Sequence, residues 1–152
     1  IGGEEEKVEI ETRKILGTFN GRTIDLADFP VSAHCNRVAV EDGHTESVSI
    51  KLAKKTSPAE IADLLRNYAG VPQQLNLPSA PEKPYIVMEA LDRPQPRFDV
   101  NLGKGMATCV GRIRPCSIFD FKLTLMGHNT VRGAAGASIL NAELLKAQGL
   151  LE

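Results

Sequence analysis

Apolar residues along this chain change period several times, and each change marks an element. From Glu4 to Leu16 a polar start gives way to Val8, Thr12, Ile15 and Leu16 at helical spacing. Three glutamates in the first turn suit the positive end of the helix dipole, and Gly17 with Asn20-Gly21 closes the run. Glu4, Lys7 and Glu11 share one face, being three and four residues apart. After a loop the period falls to two. Val31–Ala39 reads as a strand, Asp42-Gly43 as a tight hairpin turn, and His44–Ala53 as the returning strand.

The second half continues the alternation of periods. Ser57-Pro58-Ala59-Glu60 is a capping box with proline at the first helical position. Ile61, Leu64, Leu65 and Tyr68 then form one apolar helical face that ends at Gly70. A proline-rich connecting loop leads to the strand-length run Tyr85–Leu91, and Arg93-Pro94-Gln95-Pro96-Arg97 interrupts the pattern. Met106–Ile113 and Ile118–Leu125 alternate as two more strands, with Phe119, Phe121, Leu123 and Leu125 on one face and Lys122 and Thr124 on the other. Gly103-Lys104-Gly105 reads as a turn, too short for a phosphate loop. Val131–Leu150 is a small-residue-rich helix whose start, Arg132–Ala137, lets a neighbouring helix or a ligand approach the backbone. The order of elements predicts an α+β or mixed α/β domain with a largely antiparallel sheet.

Composition narrows the function classes. One domain is the natural reading of 152 residues. Eighteen basic against nineteen acidic residues argue against a nucleic-acid or membrane-surface partner. No apolar run is long enough to span a bilayer, and Ile1 does not open a secretory leader. Cys35, Cys109 and Cys116 lack metal or disulfide spacing and read as reduced cytoplasmic thiols.

Candidate chemistry concentrates between His34 and Ile50. A two-residue turn at Asp42-Gly43 would pair Glu41 with His44 and put Arg37 and His44 on one face, with Cα atoms roughly 13 Å apart. A fixed cation and a titratable imidazole would then face one small anionic substrate. Pattern alone favours the ordinary reading of a surface histidine and a strand arginine paired with a carboxylate.

Three multi-residue segments carry a family resemblance: Gly3–Lys7 with Glu11–Leu16, Asn36–Glu46 (Asn-Arg-Val-Ala-Val-Glu-Asp-Gly-His-Thr-Glu), and Asn129–Gly136 (Asn-Thr-Val-Arg-Gly-Ala-Ala-Gly). They resemble the archaeal and fungal aspartate-semialdehyde dehydrogenases, through that family's C-terminal half only. The resemblance implies a catalytic and dimerisation domain of the glyceraldehyde-3-phosphate-dehydrogenase type over residues 1–152, with the 131–150 helix packing back toward a nucleotide domain. It implies NADPH-dependent conversion of 4-aspartyl phosphate to L-aspartate 4-semialdehyde, with phosphate release, on the way to lysine, threonine and methionine. His44 would be the acid/base, and Arg37 would hold the substrate carboxylate in a fork. Glu4 would bind the amino group, with Glu5 one residue away as the alternative. Lys7 would bind phosphate, and Asn129 would lie by the nicotinamide.

Two family requirements are missing from the sequence. No Gly-X-Gly-X-X-Gly is present, so NADP(H) would be held mainly by an N-terminal domain outside this chain. None of the three cysteines has the context of the family nucleophile, so the chain alone is expected to be inactive. A related acyl-phosphate or malonyl-CoA reductase, or a non-catalytic dimerisation module, are the competing readings. The expected partners are a small-molecule substrate and a second copy bound through the sheet face, in a dimer or tetramer, with no nucleic acid and no membrane.

Overall fold

The computed structural model describes residues 2–151. They form two compact units, one up to Ala39 and one from Val40 onward. In the first, helix α1 (Glu4–Ile15) is followed by two short antiparallel strands, β1 (Thr18–Phe19) and β2 (Ile24–Asp25). Asn20 shapes their turn by accepting the N–H groups of Arg22 and Thr23 on Oδ1.

One side of α1 carries Glu5, Glu9 and Arg13, one residue per turn, and each is bonded to the segment that follows β2. Arg13 Nε donates to the Ala27 carbonyl at 2.9 Å. Glu9 accepts the Ala33 N–H at 2.8 Å, and Glu5 accepts the Cys35 N–H at 2.8 Å. This overturns the hairpin expected from the sequence. Val31–Ala39 is not a strand of any sheet, because its backbone donors are taken by carboxylates of the helix rather than by a neighbouring strand. The alternation that suggested a strand is real: Val31, Ala33 and Cys35 are half-buried while Ser32 and His34 are exposed.

In the second unit, β3 (His44–Ile50), β4 (Tyr85–Met88), β5 (Thr108–Pro115) and β6 (Phe121–Gly127) make a mixed sheet in the order β3-β6-β5-β4. β3 pairs antiparallel with β6, from His44 opposite Gly127 to Ile50 opposite Phe121. β5 pairs antiparallel with β6 and parallel with β4, and a bulge shifts its register between Gly111 and Arg114. The two last strands begin and end about two residues later than their sequence pattern indicates, so Ile118 and Phe119 fall in the exposed turn rather than on the apolar face.

Alternation gives the sheet two unlike faces. On one, Val110, Phe121 and Leu123 are buried, and Val48, Ile50, Tyr85 and Leu125 pack around them. Helix α2 (Pro58–Asn67) covers this face with Ile61 and Leu65. Its start is fixed by the expected capping box, in which Ser57 Oγ accepts the Glu60 N–H and Glu60 accepts the Ser57 N–H. A short helix, α3 (Val71–Gln74), follows it and turns the chain into the proline-rich loop.

The opposite face is divided. Over β5 it is covered by the segment 93–99, which ends in the one-turn helix α4 (Pro96–Asp99). Gly111 is required there: a Cβ would lie 2.3 Å from the Arg93 carbonyl oxygen. The Asp99 side chain is fully buried and accepts two hydrogen bonds from the Arg93 guanidinium and one from the Gln95 N–H. Over β3 and β6 the same face presents Thr45, Ser47, Ser49, Lys122 and Thr124, none of them buried.

The C-terminal helix, expected over Val131–Leu150, differs at both ends and stops at Ala147. Residues Val131–Ala135 make a π-helical turn before α5 (Gly136–Ala147) begins. Glu143 on α5 then anchors the proline-rich loop by accepting both the N–H and the hydroxyl of Ser79, at 2.9 and 2.7 Å.

Asp99→Ala is expected to lower stability at pH 7, because it removes the buried acceptor shared by the Arg93 guanidinium and the Gln95 N–H. Hydrogen bonds from Arg93 hold the Asp99 carboxyl below its ordinary value. Its contribution is therefore complete above about pH 4 and is lost as pH falls through the lowered folded value. Urea titrations should show the gap between the two proteins narrowing in acid; a constant gap from pH 7 to 2 would contradict this.

Candidate active site

His44 is the first residue of β3, and its partner across the ladder, Gly127, is the last of β6. The imidazole lies on the face that carries Val48 and Ile50, but at the end of the sheet, where it is exposed. Gly43 before it is buried and takes φ of +109°. The Asp42-Gly43 dipeptide thus marks a positive φ, as its chemistry requires, but at the entrance to a strand instead of in a two-residue turn. A Cβ on Gly43 would lie 3.4 Å from Pro96 Cβ and 3.5 Å from Val100 Cγ2, so α4 and its C-terminal neighbour form the wall against which the strand starts.

Asn129 closes the other side. Its Oδ1 accepts the Gly43 N–H at 3.1 Å, joining two positions 86 residues apart. Since the donor is a backbone N–H, the accepting atom is the carbonyl oxygen, and the Asn129 amide hydrogens remain as donors. Immediately beyond, the π turn exposes Arg132–Ala135, whose side chains are small apart from the arginine. His44 and Asn129 are therefore brought together through Gly43.

The remaining candidates lie in the first unit. Glu4 and Lys7 are exposed on α1, where Lys7 Nζ lies 3.8 Å from Glu11. Glu5 is occupied by the Cys35 N–H, while Glu4 is solvent-facing. Arg37 is exposed two residues beyond that anchor. The ribbon that would have set Arg37 and His44 on one face does not form, since residues 31–39 are not a strand.

The cysteines differ in kind. Burial pushes the Cys109 thiol up to about 11, and its Sγ lies 3.6 Å from the Asp99 carbonyl oxygen. Cys116 is held below its ordinary value by the N–H groups of Phe119 and Ile118, with Ser49 and Lys122 adding to the effect. That thiol sits by the far end of β3. Ser49 is five residues from His44, about 17 Å along a strand. Neither sulfur can share a proton with His44. Among the described residues no group of three His, Cys, Asp or Glu side chains could hold a metal ion.

Sequence reasoning singled out His44 and Asn129 as candidates but not the bond from Gly43 to Asn129, nor the α4 wall. The positive-φ signal of Asp42-Gly43 was the only local trace of the first. Nothing local announces the second, because Arg93 and Asp99 meet only under the sheet.

A helix-covered mixed sheet with two antiparallel strand pairs and one parallel pair is an α+β domain. The chain belongs to the family of semialdehyde dehydrogenase dimerisation domains, which matches residues 1–132. It is 50% identical over 147 residues to an aspartate-semialdehyde dehydrogenase of Methanothermobacter thermautotrophicus, covering 95% of this chain and 42% of that protein. It is 51% identical over 156 residues to the enzyme of that name from Schizosaccharomyces pombe, covering 99% and 44%. The crystal structure of aspartate-semialdehyde dehydrogenase with NADP from Candida albicans superposes with a TM-score of 0.91 at 44% identity, over 99% of this chain and 44% of that one. The chain thus spans less than half the length of these relatives.

Alkylation should separate the two shifted thiols. A lowered thiol forms thiolate at lower pH, so Cys116 should react with iodoacetamide near neutrality while Cys109 stays protected at pH 8. Peptide mapping by mass spectrometry reads the order, and equal modification of both would contradict it.

Proposed function

We propose that this chain is the catalytic and dimerisation part of an NADPH-dependent aspartate-semialdehyde dehydrogenase, which converts 4-aspartyl phosphate to L-aspartate 4-semialdehyde and phosphate in lysine, threonine and methionine synthesis. The observation that carries the reading is the hydrogen bond from Gly43 N–H to Asn129 Oδ1. It holds side by side two residues that the family resemblance assigns, independently of each other, to proton transfer and to the nicotinamide side.

In this reading His44 exchanges a proton with the nucleophilic thiol, which is supplied by a preceding nucleotide-binding half. An exposed imidazole at a strand end is accessible for that exchange. Arg37 offers the two-pronged geometry that a substrate carboxylate accepts. Glu4 takes the substrate amino group, and its neighbour Glu5 is left to hold the backbone. Lys7 faces the phosphate, and its shared helix with Glu4 supplies both ends of one substrate.

NADPH, when bound, supplies the hydride. The residues here fit one side of its nicotinamide: the Asn129 amide hydrogens are left to donate to a carboxamide oxygen, and the small side chains of Gly133, Ala134 and Ala135 leave the backbone approachable. The compartment assigned is the cytoplasm, in keeping with three free cysteines. No described helix is long and apolar enough to cross a membrane.

Assembly is assigned to the half of the sheet face that α4 leaves open. Thr45, Ser47, Ser49, Lys122 and Thr124 form a flat, hydroxyl-rich surface that a second copy would cover. The chain should be a homodimer in solution with an interface above about 1,000 Å². Light scattering through a micromolar dilution series should give twice the chain mass, and Thr124→Arg should shift it toward one chain; a single-chain mass throughout would refute the assembly.

In a protein completed by the nucleotide-binding half, His44→Ala should lower kcat by about 10²- to 10⁴-fold. Arg37→Lys should act mainly on KM for aspartate semialdehyde in the phosphate-dependent reverse reaction. An unchanged KM in the arginine variant would remove its carboxylate role, and an active His44→Ala enzyme would remove the proposed mechanism.

A further inference from the structure

His128 has no part in the site as described, yet it is the one buried histidine among the described residues, with 8% of its surface exposed. It stands directly between the end of β6 and Asn129. Its Nδ1 lies 3.3 Å from the Thr130 backbone nitrogen, which can only donate. Nδ1 therefore accepts, and the ring proton is on Nε2. The Thr130 hydroxyl approaches the same nitrogen at 3.3 Å. On its other side the ring is walled by backbone, since a Cβ at Gly105 would lie 3.0 Å from Cδ2. The carbonyl of His128 accepts the Gly133 N–H at 2.9 Å and so opens the π turn. The residue on either side of Asn129 is thus fixed, and Asn129 itself reaches Gly43.

We propose that His128 is a positioning residue: its unprotonated Nδ1, by holding the Thr130 N–H, fixes the Asn129 carboxamide on Gly43 and so sets the start of the strand that bears His44. The proposal rests on the functional reading above for its catalytic consequence, but not for its structural one. Removing the acceptor frees the Thr130 N–H, and the chain there turns toward water or another acceptor to satisfy it. Asn129 turns with it. The bond to Gly43 then weakens, although neither partner has been changed.

Asparagine is the informative substitution, because its Oδ1 occupies about the same place as the imidazole Nδ1 and accepts in the same direction. Leucine fills a similar volume with no acceptor. In this chain, His128→Leu should speed amide hydrogen exchange at Gly43 by about tenfold or more, while His128→Asn should leave it within about threefold of the parent. Nitrogen-15 NMR of the parent should show His128 with hydrogen on Nε2 and a bare Nδ1. In the protein completed by the nucleotide-binding half, His128→Leu should lower kcat by about 10- to 100-fold with little change in KM, and His128→Asn should restore it.

Equal Gly43 exchange in the parent and the leucine variant, or hydrogen on Nδ1, would overturn the proposal. If the leucine variant does not fold, the asparagine variant and the ring tautomer still decide it. Should exchange respond as expected while kcat does not, positioning stands and the catalytic reading of Asn129 and His44 falls; the His44→Ala enzyme then serves as the independent check.

Discussion

A carboxylate sealed beneath a sheet must be paired, and Asp99 is paired with Arg93 so completely that the chain between them is shaped by it. The guanidinium and the Gln95 N–H converge on the two carboxylate oxygens, closing the 93–99 loop against the sheet. The Asp99 carbonyl meets Cys109, and the Arg93 carbonyl sits where Gly111 has no side chain. With that loop pinned, Pro96 and Val100 become a wall beside Gly43. The entry of β3, and hence the position of His44, depends on a pair of residues about fifty positions further along the chain.

The same region shows how a fold gathers polar side chains at one end of a sheet. β3 begins and β6 ends at the pair His44–Gly127, so the chain leaving β6 has to pass the residue that opens β3. Asn129 uses that passage to hold Gly43, and its neighbours His128 and Thr130 hold each other. Backbone groups that no ladder can satisfy are met by side chains, which also fixes those side chains in place. A π-helical turn follows at once, a rare conformation that places small residues at the surface next to the asparagine.

The first unit solves a similar problem in another way. An extended segment with no strand partner is stable only if its N–H groups find acceptors, and α1 supplies them at one-turn intervals through Glu9 and Glu5. Arg13 completes the row from the other polarity, donating to Ala27. Of three successive glutamates, one therefore serves the fold and its neighbours remain exposed. That division of labour leaves Glu4 facing solvent and Glu5 committed to the backbone.

The sequence by itself determined the elements whose signals are local. The capping box at Ser57 and Glu60, the core contacts of Ile61 and Leu65 on α2 (though not Leu64 and Tyr68, which are exposed), the strands of the second half and the positive φ at Gly43 are each legible within a few residues, because period and capping chemistry act at that range. The motifs carrying His44, Arg37 and Asn129 were legible in the same way, and so was the family. Which strand would receive β3 was not. Asp-Gly before an alternating run fits a hairpin as well as a strand entrance, and the choice was made by Leu123 and Phe121, more than seventy residues away, which give Val48 and Ile50 a buried face. Only tertiary structure could also assign Glu5 to the Cys35 N–H, Asp99 to Arg93 and Asn129 to Gly43. In each case the deciding force is an unsatisfied polar group whose partner no local pattern names.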